Sequence, residues 1–460
     1  MVDISKLIPL KDFARPIEVM WNLSDMKLCA IESQTNSQDH ALVFTRNGQY
    51  TTQPWTDWTR GFHIGSILLQ SEADSSRAIR DFGRLSTMKF IQPQVTNFGV
   101  HDHGFNVTST YGTLLRQMHE NRDLHNEWER KYYRQALITS GIVQAHRWTE
   151  LGQGYGYIYS FNGAHSLFAD TIRSLRALAI SYVLGGVIIE EQDQEYSLLE
   201  RMIAHIRTTS RYLVSTSELL DGYSIPGRVA HEAIFNIESA TFRCLSTQQG
   251  YSPFTTWTRG LAWIILGYAE ILEFFRMLPD QIRAMYQDIE AELLTTLRCA
   301  ADYYIESTPI CGVPYWDTGA PGLLDLNGWS EREADPFNDK EPVDSSAAAI
   351  AAQGLLRLGE IVGDYGNKYT AAGRRTAYTI LQKPYLSTDL NHQGLLLHSV
   401  YHWPRRWDQI PTGSKIAHGE SVMWGDYHLR ELALYIGRLM EAKPYYTFAN
   451  FEWNLPDRDA

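Results

Sequence analysis

Two acids stand where the chain could move a proton. Between Gly99 and Gly104 it reads Gly99-Val-His101-Asp102-His103-Gly104, a carboxylate flanked by imidazoles at a predicted helix start. Further on, Ser166-Leu-Phe-Ala-Asp170-Thr-Ile-Arg173 holds one acid inside an apolar first helical turn. Burial there raises an Asp pKa, which suits a proton donor working near neutral pH. Two such acids on different helices, facing a common centre, form a carboxylate pair whose environments can push their pKa values apart. Each acid also has a plainer reading as a helix cap, held by free N–H groups and the helix dipole. The His101-x-His103 spacing can ligate metal. No Glu-x-x-His or second His pair completes a site, so neither metal nor cofactor is expected.

A second candidate region runs from Thr247 to Trp263. Gly250, Ser252 and Pro253 make its first half a loop. Thr255 or Thr256 is placed to cap the apolar helix that follows. Trp257, Arg259 and Trp263 then fall within two turns of a helix N-terminus. Partial positive charge, a guanidinium and two indoles there suit a flat, anionic, ring-shaped ligand. The alternative is that both Trp belong to the core and Arg259 pairs with a buried acid. Trp58-Thr59-Arg60-Gly61 repeats Trp257-Thr258-Arg259-Gly260 letter for letter, and both precede an apolar helix. Such repetition suggests stacked or ring-arranged helical hairpins. Gly152-x-Gly154-x-Gly156 lacks the Lys-Ser/Thr and the strand–helix unit of a phosphate loop and reads as a flexible loop.

The elements that must position these residues are mostly helices. Helical periodicity covers Pro16–Ile31, Phe62–Leu69, Ser75–Ile91, Thr108–Glu120, Glu127–Thr149, Ser166–Leu184, Glu195–Ser217, Trp257–Met277, Pro279–Glu306, Asp344–Val362, Lys368–Gln382 and Glu420–Glu441. A strand-like pair, Ala41 to Thr45 and Tyr50 to Thr52, flanks the turn Arg46-Asn47-Gly48. No β–α alternation and no Gly/Ser/Pro linker divides the chain. About twelve middling helices point to an all-α toroid, an (α/α)6 barrel, as one domain over 1–460 with 1–54 as an irregular and helical lead-in. The net charge of −12, without a basic run, excludes a nucleic-acid or anionic-membrane binder. Four scattered cysteines fit a reducing compartment. Without a signal peptide or membrane span, the expectation is a cytoplasmic protein, a monomer or weak homo-oligomer.

Taken together, Trp58–Gly65, His101-Asp102-x-Gly-Phe105, Asp170, His231, Gln249-Gly-Tyr-Ser, Trp257-x-Arg-Gly-x-Ala-Trp263, Pro314-Tyr-Trp-Asp317, Asp344-Ser-Ser-Ala-Ala-Ala-Ile350 and Trp424-Gly-Asp-Tyr427 resemble the unsaturated glucuronyl hydrolases, glycoside hydrolase family 88. That resemblance implies an (α/α)6 barrel without metal or cofactor. It implies removal of a 4,5-unsaturated uronic acid from the non-reducing end of lyase-generated oligosaccharides. It makes Asp170 the general acid/base and Asp102 the second essential acid. Trp58, His101, His231, Gln249, Trp257, Arg259 and Trp263 become substrate-binding residues, with Arg259 a partner for the uronate or for a catalytic acid. The chain departs from the family at Thr171-Ile172-Arg173-Ser174, where Arg173 is placed to alter the acid's pKa or the pocket shape. It also departs at Gln248, at Pro253 and in an acidic segment from Asn327 to Glu341 that would repel sulfated partners. The rival expectations are an unsaturated rhamnogalacturonyl hydrolase acting on pectin fragments and a non-catalytic sugar-binding barrel.

Overall fold

The computed structural model describes residues 1–34, 40–53, 57–216 and 224–455. Ser217, at the end of the expected Glu195–Ser217 helix, and Pro54, closing the expected lead-in, lie outside the described residues. Six outer helices (Ala14–Gln34, Arg77–Ser86, Glu127–His146, Leu198–Tyr212, Gln287–Ser307 and Asn367–Ile380) alternate along the chain with six inner ones. The first inner helix is Arg60–Ala73. The second runs from His103–Val107 through a π turn, Thr108–Gly112, into Thr113–Glu120. The third begins as the 3-10 turn Ala169–Ser174 and continues as Leu175–Val183. Thr258–Met277, Ser345–Val362 and Met423–Met440 complete the set. Each inner helix packs on the next, and Met423–Met440 packs back on Arg60–Ala73, so the ring closes as an (α/α)6 barrel.

Residue patterning explains which helix goes where. Leu198–Tyr212 buries Leu198, Leu199, Met202, Ile203 and Ile206 on one stripe and turns Glu200 and Arg211 outward, as an outer helix must. Thr258–Met277 is buried from Thr258 to Phe275 and is apolar nearly all round, which only an inner position satisfies. The alanine-rich helix Ser345–Val362 lets its neighbour approach to backbone contact. A Cβ on Gly354 would lie 2.8 Å from the carbonyl carbon of Ile265 and from Leu266 N. Any larger residue there must push two inner helices apart, at about 1–3 kcal/mol.

Short strands interrupt the helical pattern where pairing outcompetes it. Ser166–Phe168 is a strand rather than the start of a helix, because it pairs with Glu232–Asn236, which in turn pairs with Thr241–Ser246. Glu195–Tyr196 pairs with Ile188–Ile189, so the next outer helix starts at Leu198. Gly152 to Gly156 is not a flexible loop. It forms the turn and second strand of a hairpin, Trp148–Gly152 with Tyr155–Ile158, with positive φ at Gly152, Gln153 and Gly154. The hairpin Ala41–Arg46 with Gln49–Gln53 is where the sequence puts it, turning through positive φ at Asn47 and Gly48. Among the described residues no helix is long and apolar enough to cross a membrane.

Buried histidines set the acid limit of this fold. Burial pulls His103, His231, His398 and His402 down to about 4, and His205 and His428 to about 3. The unfolded chain protonates the same groups near 6.5. Their contribution is therefore complete above about pH 6.5 and is lost as pH falls toward 4. Burial raises Asp317 and Asp408 to about 6 and Glu273 to about 7, which works oppositely over the same range with fewer groups. The melting temperature is expected to fall between pH 6.5 and 4.5; calorimetric scans that show it rising across that window would overturn this account.

Candidate active site

The N-terminal ends of four inner helices, those starting at Arg60, His103, Ala169 and Thr258, border a cavity of about 380 Å³. Trp58, His101, Asp102, Asp170, Gln249, Trp257, Arg259 and Trp263 all line it. His231 does not line it. Its ring lies behind, 4.7 Å from Phe168 and 4.8 Å from Trp257. The two Trp-Thr-Arg-Gly copies occupy equivalent stations at the starts of Arg60–Ala73 and Thr258–Met277, and each presents its Trp to the cavity. Neither Thr255 nor Thr256 caps the second of these helices. Trp257 holds the N-cap position without a side-chain bond, while the Thr256 hydroxyl donates to Val229 O.

Both acids are free of capping duty. Asp102 occupies the N-cap position before His103, yet its side chain makes no cap hydrogen bond. Asp170 is the second residue of its 3-10 turn, and its Oδ1 is buried with no hydrogen-bond partner among the described residues. His101 lies between them, its Nε2 3.4 Å from Asp170 Oδ2 and 3.8 Å from Asp102 Oδ1. Burial works against charge on this imidazole, but the two carboxylates outweigh it and raise its pKa. Burial likewise drives Asp102 above the usual carboxylate range, against the pull of His101. Asp170 is the reverse of the sequence expectation. Burial alone would raise it, but the hydrogen bond and charge of His101, with His231 behind, hold it below its ordinary value. The Arg173 side chain is engaged elsewhere. That guanidinium is buried against Glu270 at 3.1 Å, with the Trp263 ring 5.7 Å away.

Backbone contact fixes the spacing of the two acids. A Cβ on Gly104 would lie 2.4 Å from Arg173 O and 2.5 Å from Ser174 Cα, so glycine is required for the two helix starts to touch. Arg176 bridges them, donating from Nη2 to Gly104 O at 2.6 Å and from Nε to Arg173 O at 3.2 Å. The Ser174 hydroxyl donates to His101 O. His103 points away from the acids. Its ring nitrogens contact Ser140 Oγ and Asn97 O at 2.8 and 2.9 Å, so the His-x-His pair does not act together.

Arg259 answers to the plainer of its readings. It donates to Asp344 Oδ2 at 2.7 Å, Gln249 Oε1 at 2.8 Å, Tyr401 O at 2.7 Å and Val400 O, and its guanidinium lies between the rings of Trp257 and Trp424. A side chain so committed has no donor fork left for a substrate carboxylate. Asp344 meanwhile caps Ser345–Val362 through the amides of Ser346 and Ala347. His231 Nδ1 accepts from the amides of Gln248 and Gln249, which shapes the loop that holds Gln249. In the acidic segment, Glu341 is buried and accepts from Trp316 Nε1 and Gly322 N, so it braces the loop rather than facing solvent.

The sequence reading missed part of the wall. Phe161, Phe168, Tyr401, His402, Arg405 and Trp407 also line the cavity. The run Tyr401-His-Trp-Pro-Arg405-Arg-Trp407 carried the signal, an aromatic and basic stretch outside the helices expected from the sequence. Arg405 is exposed and makes no ion pair among the described residues, with its guanidinium 5.8 Å from the Trp407 ring.

No family model matches the chain. It is 24% identical over 384 residues to an unsaturated glucuronyl hydrolase of Formosa agariphila, covering 82% of this chain and 79% of that one. It is 24% identical over 404 residues to an unsaturated chondroitin disaccharide hydrolase of Streptococcus pyogenes, covering 86% and 85%. Among solved structures, the unsaturated glucuronyl hydrolase from Bacillus sp. GL1, described as responsible for glycosaminoglycan degradation, superposes with a TM-score of 0.69. The match has 22% identity and covers 94% of this chain and 99% of that one. An unsaturated glucuronyl hydrolase described as specific for heparin gives 0.70, with 18% identity and 93% and 98% coverage. The likeness carried by short motifs thus extends over more than four fifths of the chain.

Removing the Arg259 guanidinium leaves Asp344 as a buried, unpaired charge. Arg259→Met is expected to lower stability by about 3–5 kcal/mol. Denaturant titration measures it, and a loss within experimental error would show that Arg259 is not the brace described.

Proposed function

We propose that this chain is a glycoside hydrolase that removes a 4,5-unsaturated uronic acid from the non-reducing end of a short oligosaccharide. The observation that carries this reading is the imidazole lodged between two uncapped carboxylates in an aromatic-walled cavity. The likeness to glucuronyl and chondroitin disaccharide hydrolases supports the uronyl substrate over the pectin-derived alternative. A sugar-binding barrel has no use for two acids, one buried and one half-buried, that cap nothing.

The reaction is a hydration. C4 of the enol ether takes a proton, the positive charge develops at C5 and ring oxygen, and water adds at C5. The hemiketal then opens to a C5 ketone, and the hemiacetal left at C1 collapses to an aldehyde and releases the remaining glycan. Asp170, with its unpartnered Oδ1, exchanges the proton with the sugar and then, as carboxylate, accepts one from the attacking water. His101 and Asp102 hold the proton reserve. The substrate's own carboxylate, a like charge arriving nearby, raises the Asp170 pKa and so readies it as a donor. Trp58, Trp257 and Trp263 supply faces for the sugar ring, with Gln249 at the wall and His231 behind it. Arg405, the uncommitted cation of the wall, meets the uronate in place of Arg259.

Two measurements test this. Loss of the substrate's ultraviolet absorbance follows hydration directly. Asp170→Asn keeps the size of the side chain but cannot shuttle a proton, so turnover is expected to fall ~10²-fold or more while the melting temperature holds. A folded and active Asp170→Asn protein removes Asp170 from its role. Arg405→Ala is expected to raise KM at least ~10-fold with a smaller change in kcat, the pattern of a lost charge-assisted contact; an unchanged KM returns the uronate to another partner.

A further inference from the structure

We infer that His101, Asp102 and Asp170 form a binding site for a divalent transition-metal ion of the zinc type, and that such an ion inhibits the centre rather than serving it. One donor atom from each residue lies within 4.8 Å of the others. The His101 Nε2 distances of 3.4 and 3.8 Å to the two carboxylates approach the ~3.3 Å edge of a tetrahedron built on bonds of ~2.0–2.1 Å. Small rotamer adjustments close the remainder.

The donors are uncommitted as well as near. Asp102 is 8% exposed, and among the described residues its carboxylate makes no hydrogen bond or ion pair except with His101. Asp170 Oδ1 accepts no hydrogen bond from any described residue. His101 is 2% exposed and directs Nε2 between the acids. Three protein ligands leave a fourth position open toward the cavity, where water completes the shell. With neutral imidazole the set carries two negative charges, which a divalent ion balances. One nitrogen and two carboxylate donors suit zinc, whereas magnesium and calcium demand more oxygen ligands than this corner offers. Arg147, which bears electrostatically on both His101 and Asp102, is turned to backbone oxygens of Phe98, Tyr159 and Ser160 and leaves the corner open. A metal held there occupies the imidazole lone pair and both carboxylates, the groups that proton transfer requires.

Titration calorimetry with zinc chloride on the full chain tests the site without any substrate, so its outcome is independent of the assigned reaction. One ion per chain is expected, with affinity reduced about 10-fold or more in Asp102→Asn and again in His101→Ala, and no heat from magnesium. In the absorbance assay zinc is expected to compete with the unsaturated disaccharide, and EDTA to restore the rate. Absence of binding, or zinc affinity unchanged in the folded Asp102→Asn protein, would overturn the assignment.

Discussion

Two carboxylates, one buried and one half-buried, with oxygens within 4.8 Å of each other are the condition everything else here accommodates. Unscreened, such a pair repels by about 4 kcal/mol at 4 Å and an effective dielectric of 20. One imidazole between them resolves the conflict and divides the pair unequally: burial raises Asp102, while the hydrogen bond and charge of His101 lower Asp170 against burial. The geometry that allows it is backbone geometry. Gly104 brings two inner helices into contact, Arg176 ties their carbonyls together, and Ser174 holds the residue that carries the imidazole. A fold built from long side chains at those positions would separate the acids and dissolve their interaction.

Arg259 and Arg405 show how the same residue type serves opposite ends. Both line the cavity. Arg259 is desolvated and can exist there only because Asp344, a glutamine oxygen and two carbonyls absorb its donors. Arg405 is exposed, its guanidinium 5.8 Å from the Trp407 ring, so it needs no such company. A buried cation is therefore architecture, and an exposed one at the same wall is free to meet a ligand.

The ring of helices was legible in the sequence because inner and outer faces impose different periodicities, and the acids were legible because they interrupt apolar helix starts. What escaped was set by partners far along the chain. The direction of the Asp170 shift depends on His101, 69 residues away, and the fate of Arg259 on Asp344, 85 residues away. Ser166–Phe168 has helical company on its C-terminal side, and only the strand Glu232–Asn236 makes it extended. The wall from Tyr401 to Trp407 has no period to detect, since its one regular piece is the single 3-10 turn Trp403–Arg405.

The seam of the barrel has a consequence for how the molecule comes into being. Thr45 and Ser421 exchange backbone and hydroxyl hydrogen bonds across 376 positions, Phe44 bridges Val422, and the last inner helix closes against the first. Local hairpins of helices can form as synthesis proceeds, but the joint between the two flanks is among the most non-local contacts the chain makes, and its loop-closure entropy is met late. A ribosome-bound chain lacking Met423–Met440 is an open horseshoe with its apolar inner faces exposed to solvent. Such an intermediate invites aggregation and chaperone capture, so the yield of active protein is governed by how quickly the last helix reaches the first.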